Sequence, residues 1–378
     1  MNFDFSEEQL MLRESIARFI QDDYSFDQRR EIAKSPVGMK KEVWKIFAEL
    51  GWLSIPFSES SGGFGGGPVD VSVIMEEFGK GLVLEPYLPT VLLFGGLIND
   101  AGSEEQRSDF LPSIIDGSLL GAFAYLERQS RYELSDVMTK AESHSEGFIL
   151  DGEKVVVLNG QNASKLIVSA RTSGDQFDRE GISLFLVSAD TDGVDRVSYQ
   201  MMDGQIVSNF RFNKVLLTAD SLIGGLGEGL EAIQGVVRAA TVAISAEALG
   251  IMGELNRKTL EYSKTREQFG SAIGSFQVLQ HRMVDTFIAY EQVKSLLYRA
   301  VCGLAEDSVE VESTVHALKI LVSKMGKQIF GEAIQIHGGM GITDELDIGH
   351  YAKRLMMINT TFGGEDHHQG KFNALRYG

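Results

Sequence analysis

Phe148-Ile149-Leu150-Asp151-Gly152-Glu153-Lys154-Val155-Val156-Val157-Leu158 sets two short apolar runs on either side of an Asp-Gly pair. Asp-Gly accepts the positive backbone angles of a two-residue turn, so the stretch predicts a β-hairpin closing at Asp151-Gly152. Outward from it, Leu166-Ile167-Val168, Ile182-Ser183-Leu184-Phe185-Leu186-Val187 and Phe210-Arg211-Phe212 are further strand candidates. Runs this short at this spacing predict a compact antiparallel β-domain, closed by Gly224-Gly225-Leu226-Gly227-Glu228-Gly229.

Helical pattern lies on both sides. Ser6 with Gln9 predicts a capping box, and Leu12, Ile16, Phe19 and Ile20 then recur on one helical face. The cluster Ser60-Ser61-Gly62-Gly63-Phe64-Gly65-Gly66-Gly67-Pro68 lacks the strand, helix and Lys-Ser/Thr of a phosphate loop, and reads as a flexible connection. Helical pattern resumes over residues 73–78. Beyond about residue 230, Phe276, Leu279, Met283, Phe287 and Tyr290 form one apolar stripe; Leu318, Leu321, Val322, Met325 and Ile329 form another. Long amphipathic helices with short links predict a helical bundle. The order of helices, small sheet and helices has no βαβ alternation, which argues against a Rossmann fold. The expected class is α+β, mostly α, with a helical domain over residues 1–117, a β-domain over 118–225 and a helical bundle over 226–378.

A length of 378 residues suits two or three domains, and a hydrophobic fraction of 43% rules out a disordered chain. No stretch approaches the ~18 uninterrupted apolar residues of a membrane span. The opening Met1-Asn2-Phe3-Asp4-Phe5-Ser6-Glu7-Glu8 is acidic where a secretory signal is basic. Cys302, the single cysteine, allows neither an internal disulfide nor a multi-thiolate zinc site and is expected as a small core residue. A soluble, cytoplasmic protein is the expectation. The net charge of −18 argues against a nucleic-acid partner, because phosphate binding draws on clustered Lys and Arg. It leaves room for an anionic cofactor bound at one local basic site, while the surplus carboxylates favour solubility.

The sharpest chemical features come late in the chain. Thr265-Arg266-Glu267-Gln268-Phe269-Gly270 is followed by Phe276-Gln277 and Gln280-His281, and Gln335-Ile336-His337-Gly338-Gly339-Met340-Gly341 ends a long helical pattern. Taken singly, the arginine reads as a solvated charge and the glycines as a helix C-cap. Together they offer a guanidinium, amide side chains and a glycine-lined backbone, which suit a pyrophosphate-bearing cofactor.

This arrangement of Arg-x-x-Phe-Gly, Phe-Gln and Gln-Ile-x-Gly-Gly-x-Gly resembles the C-terminal half of the acyl-CoA dehydrogenase family. Phe5-Ser6-Glu7-Glu8-Gln9, Gly51-Trp52-Leu53, Asp151-Gly152-x-Lys154 and the closure at Gly224 extend the resemblance over essentially the whole chain. The resemblance implies a helical domain, a β-domain and a C-terminal four-helix bundle that mediates assembly, with FAD bound between subunits. By motif matching, Arg266, Gln268, Phe269, Phe276, Gln277, Gln335, Gly338 and Gly339 would contact the adenine-diphosphate end, largely of a neighbouring subunit's FAD. The implied reaction is α,β-desaturation of an acyl-CoA, with a carboxylate base taking the α-proton and the flavin the β-hydride. An electron-transfer flavoprotein or similar acceptor would follow. No metal is implied: in Asp366-His367-His368 the adjacent histidines point apart, with no further ligand group spaced to join them.

Three departures stand against the matches. The family's Tyr-Glu-Gly-Thr corresponds to Phe362-Gly363-Gly364-Glu365, and the alternative base position corresponds to Ala240-Thr241, so neither Gly363 nor Ala240 is acidic. Glu365, two residues on, is the fallback base. The flavin-contacting Thr-Glu-Pro-x-x-Gly-Ser-Asp aligns without gaps to Leu126-Glu127-Arg128-Gln129-Ser130-Arg131-Tyr132-Glu133. Lys-x-Trp-Ile-Thr-Asn aligns to Lys154-Val155-Val156-Val157-Leu158-Asn159, so Val156 replaces a covering ring and Leu158 a hydroxyl. Losses on the ring side with the diphosphate side spared resemble the small, non-catalytic subunits of heteromeric enzymes, such as the pimeloyl-CoA dehydrogenase small subunit and the α2β2 steroid side-chain dehydrogenases. Phe123-Ala124-Tyr125, Arg131-Tyr132-Glu133-Leu134 and Phe362-Gly363 with Asp366-His367-His368 fit that subgroup. The expectation is a chain that completes a partner subunit's FAD site; a homomeric enzyme with a displaced base and a scaffold of the same fold are the alternatives.

Overall fold

The computed structural model describes residues 5–377, so the acidic opening at residues 1–4 lies outside the described residues. Six α-helices come first: α1 (Glu7–Asp23), α2 (Phe26–Lys34), α3 (Lys41–Glu49), α4 (Pro68–Gly81), α5 (Gly96–Ala101) and α6 (Glu104–Ile115), with a π-helical stretch Tyr87–Gly95 before α5. Ser6 and Gln9 form the expected capping box of α1. The glycine cluster is a built turn and no loose connection. Gly63, Gly65 and Gly66 donate their backbone N–H groups to the Ser58, Phe57 and Ile55 carbonyls at 2.9, 2.7 and 2.8 Å. Gly67 then caps α4 through Asp70, and Pro68 begins the helix where its missing N–H costs nothing.

The middle strands are β1 (Gly121–Ala124), β2 (Lys140–His144), β3 (Gly147–Leu158), β4 (Lys165–Arg171), β5 (Ile182–Ser188), β6 (Val194–Gln200), β7 (Ile206–Thr218) and β8 (Leu222–Ile223). They form one sheet in the order β6-β7-β3-β2-β4-β5-β8, with β1 on β4. The sheet is mixed: β1 and β2 each run parallel to β4, and the remaining pairs are antiparallel. The predicted turn is corrected as well. The hairpin closes between His144 and Gly147, whereas Asp151-Gly152 lies inside β3 at a break in register with β7. A turn-prone dipeptide is also what a β-bulge accepts, and the pairing of β3 with β7 across both apolar runs decides between them. Leu150, Val157, Leu166, Val168, Phe185, Phe210 and Phe212 form the core against this sheet.

The remaining helices are α7 (Gly229–Thr265), α8 (Gln277–Ala305), α9 (Val311–His337), α10 (Ile348–Thr360) and α11 (Glu365–Tyr377), with a two-residue ladder β9 (Glu267–Gln268) and β10 (Ser271–Ala272) between α7 and α8. An apolar window in α7 has mean hydropathy 1.4, long enough to cross a membrane, but 78% of it is buried in the protein, as in a core helix. The α9 stripe is internal at Leu318, Val322 and Ile329. The α8 stripe is not. Thr286, Ala289, Val293 and Leu297 face inward, while Val284, Phe287 and Ile288 are 54%, 57% and 49% exposed. Cys302 is half-buried and not a core residue.

By its contacts the chain forms two compact units. One comprises the chain up to Glu31, Gly67–Val83 and the chain from Thr241 onward; the other comprises Ile32–Gly66 and Leu84–Ala240. Within the first, α4 crosses α7 where a Cβ on Gly79 would lie 2.1 Å from the Glu247 carbonyl oxygen and one on Gly250 would lie 1.9 Å from that of Glu76. Only glycine fits there. Buried Arg354 of α10 holds Glu247 at 2.5 and 2.8 Å in a bidentate pair beside this crossing.

Candidate functional site

The residues expected at a diphosphate come together at one end of the bundle. After α7 the chain reverses through Phe269 and Gly270, both at positive φ (55° and 82°), so that β9 pairs with β10. Ile273 returns its N–H to the Arg266 carbonyl at 2.8 Å, and Phe276 caps α8 with its ring edge-on to Phe269, centroids 6.2 Å apart. The glycine turn lies alongside. Tyr262, four residues before Arg266, stacks on His337 with centroids 4.3 Å apart, and His337 is the last residue of α9. Residues some seventy positions apart are thus joined by one ring pair. That pair was not singled out from the sequence, although His337 stands inside the glycine motif.

The same residues are open to solvent. Arg266, Gln268, Gln277, Gln335, Gly338 and Gly339 are exposed, and Phe269 is 95% exposed. The Arg266 guanidinium makes no ion pair among the described residues, and a Cβ on Gly338 or Gly339 would meet nothing within 4 Å. An unpaired guanidinium beside an open glycine turn fits a diphosphate, which needs a charge-assisted fork and close backbone approach.

In the other unit, the positions aligned with flavin-ring contacts also cluster. Val155 donates its N–H to the Leu126 carbonyl at 2.8 Å, and Val156 donates to Asn209 Oδ1 at 3.0 Å. Val156 sits in a register break of β3 at φ 54°. A β-branched residue there is strained, and such strain concentrates at functional sites. Arg131 occupies its position at φ 49°. Beneath them, fully buried Lys154 bonds Glu127 at 2.7 Å. Burial would raise the Glu127 carboxyl, but the Lys154 charge and hydrogen bond, with Gln129 and the Met138 N–H, hold it at about 2. The gap-free alignment passed over Ser135-Asp136, a buried Ser-Asp pair three residues further on, where Asp136 accepts from Gln129 and Gln176.

Neither of the two positions expected for a base carries an acid. Ala240 is fully buried. Gly363 sits at φ 119°, and a Cβ there would lie 2.6 Å from His367 Cδ2 and 2.7 Å from His368 Nε2. Its carbonyl accepts from Lys319 Nζ at 2.8 Å. Glu365, at the start of α11, pairs with Lys324 at 3.4 Å.

Family profiles match this architecture in three consecutive segments: acyl-CoA dehydrogenase N-terminal domain over residues 6–118, middle domain over 122–215 and C-terminal domain over 227–374. The chain belongs to the acyl-CoA dehydrogenase family. It is 28% identical to the L-prolyl-peptidyl-carrier-protein dehydrogenase of a Serratia species over 388 residues, covering 100% of this chain and 98% of that one. A structure of PigA with FAD and proline superposes with TM-score 0.92 at 27% identity over 99% of both chains. The Tcur3481–Tcur3483 steroid acyl-CoA dehydrogenase superposes with TM-score 0.87 at 27% identity, covering 98% of this chain and 97% of its own.

The glycine turn and the arginine hairpin are well formed, while the turn at Gly363 is packed by two imidazoles and a lysine. Among the described residues no group of three or more His, Cys, Asp or Glu side chains is arranged to hold a metal ion. His316 does reach His368, Nδ1 to Nδ1, at 2.8 Å, a pairing across 52 residues that local spacing could not reveal.

Proposed function

We propose that this chain is a subunit of an FAD-dependent acyl-CoA dehydrogenase desaturating an acyl thioester between Cα and Cβ, and that it completes the FAD site of a partner subunit carrying the base. The observation that carries this reading is Gly363: its backbone angle and the rings packed on it leave no room for the carboxylate the reaction needs. Arg266 would form a charge-assisted contact with the diphosphate, and the backbone at Gly338 and Gly339 would approach it closely. Phe269 and Phe276 would flank its nucleoside end. Bound FAD would supply the hydride acceptor. All these residues but the half-buried Phe276 are exposed in the single chain, and the apolar face of α8 is uncovered, which supports a site finished by association. An α2β2 assembly is the expected form, with an electron-transfer flavoprotein or similar acceptor taking the electrons.

The likeness to a steroid dehydrogenase named for two polypeptides supports the heteromeric form. The Serratia relative, named for a carrier-bound prolyl group, extends the substrate class from CoA esters to carrier-protein thioesters. A homomeric enzyme using Glu365 has the Lys324 pair against it.

The visible spectrum tests the proposal. The purified chain is expected to be colourless alone and to gain a flavin spectrum when mixed with a dehydrogenase-like partner that has an intact base. The mixture should bleach on addition of acyl-CoA or acyl carrier protein thioesters. A yellow single-component preparation that bleaches with a thioester sinks it.

A further inference from the structure

Lys319 lies on α9 with no exposed surface, and no carboxylate pairs with it among the described residues. Its ammonium donates to the carbonyls of Asn359 and Gly363 at 3.0 and 2.8 Å. An uncompensated buried cation is costly, and replacing it with an apolar side chain would usually cost little. Its presence calls for a reason.

The turn it holds is gripped a second time. His368 Nε2 lies 3.1 Å from the Phe362 carbonyl, which can only accept, so that nitrogen carries the proton. In the neutral ring, His368 Nδ1 is then a lone pair. It faces His316 Nδ1 at 2.8 Å, which makes His316 the donor. Three carbonyls around one turn are therefore held by one lysine and one pair of imidazoles.

We infer that Lys319, His316 and His368 form a proton-sensitive clasp on the turn at residues 362–364, closed while the imidazoles are neutral and released when they gain protons. A first added proton, on His316, puts a charge beside His367 and Lys371; a second, on His368, stands beside Lys319 and sets two N–H groups against each other across the His316–His368 contact. The titratable groups facing the pair are all bases: Lys319 from α9, and His367 and Lys371 from α11. Among the described residues, α10 directs the Asn359 carbonyl at Lys319, and Glu365 is engaged by Lys324. Among the described residues no carboxylate is one of the groups that shift the pair. Burial, reinforced by these neighbours, pushes His368 down to about 3 and His316 to about 4, and burial alone holds Lys319 at about 7. Lys319 is a positioning residue here, and the clasp does not depend on the FAD assignment.

Hydrogen exchange of the full chain between pH 6, where Lys319 is charged and the imidazoles are neutral, and pH 2.5, corrected for intrinsic rates, tests this. Amides of residues 360–366 are expected to lose at least tenfold protection at the acid end while amides of β5 keep theirs. His316→Gln, whose amide can still donate to His368, should shift the release to lower pH. Lys319→Met should leave the turn poorly protected at every pH; if that variant fails to fold, the wild type and His316→Gln decide. Protection of the turn that does not change with pH, or that is lost together with β5, overturns the clasp. So does a neutral His368 protonated on Nδ1 in nitrogen NMR.

Discussion

At Gly363 the absence of an acid and the shape of the backbone are one fact. Restoring the family's carboxylate by Gly363→Glu forces a side chain into φ 119° and into contact with His367 and His368 at 2.6–2.7 Å. The variant is expected to lose about 1–3 kcal/mol from backbone strain, before any clash, and to gain no thioester-dependent bleaching on its own. Thermal unfolding and single-turnover spectra check both; an active, stable variant would refute the packing account. Lys154→Met is expected to cost about 3–5 kcal/mol in urea unfolding, because it leaves Glu127 charged and buried with no cation. Glu127, at about 2 in the fold against 4.5 ordinarily, contributes stability that is fully present above pH 4.5 and is lost as pH falls through 2. That acid slope should flatten in Glu127→Gln. At this scale the sequence was informative about identity and silent about partners: the absence of an acid at positions 363 and 240 could be read directly, whereas Lys319, His316 and His368 meet only through folding.

Among the elements, the hairpin after α7 and the uncovered face of α8 make separable predictions. Arg266→Ala should weaken flavin retention in the assembled complex at least tenfold while leaving assembly intact, since it removes an exposed guanidinium that makes no ion pair among the described residues. Equilibrium dialysis of the complex measures it, and wild-type retention would count against the assignment. Glu365→Gln should change turnover by less than twofold, because its carboxylate is engaged by Lys324. Phe287→Asp on α8 should abolish association with the partner and leave the isolated chain's melting temperature within a degree or two, since the ring is 57% exposed. Light scattering with a thermal melt separates those effects. Periodicity correctly marked the apolar faces of α8 and α9, but it cannot say what covers a face. Leu318 and Val322 meet the protein interior, and Val284 and Phe287 meet water.

For the molecule as a whole, chain order and packing order differ. Helices α1 and α4, early in the sequence, belong to the same compact unit as α8 to α11, and the sheet shares the other with α3, α5 and α6. The α4–α7 crossing is where that interleaving is most exacting. Gly250→Val, with its Cβ 1.9 Å from the Glu76 carbonyl oxygen, is expected to destabilise the chain by about 1–3 kcal/mol or more in chemical unfolding. An unchanged midpoint would mean that the helices can separate without cost. The order of helices, sheet and helices was legible because apolar period is a local property, and the family was legible in the resemblance carried by the arginine and glycine motifs. The two parallel pairings in a largely antiparallel sheet were not anticipated, and the Asp-Gly turn was misread, because register and strand direction depend on pairings over tens of residues, such as β3 with β7 and β1 with β4.

The amino-acid sequence by itself determined which groups this protein possesses: a guanidinium and glycines of the kind a diphosphate needs, and no acid at positions 240 and 363. Tertiary structure alone decided where those groups stand. It stacked Tyr262 on His337 to unite the two motifs, left the hairpin and α8 open to solvent, and closed the turn at Gly363 with Lys319 and His368. The physical reason is that composition and period act over one or two turns of chain. Burial, desolvation and the pairing of distant polar groups exist only once remote segments share the same space.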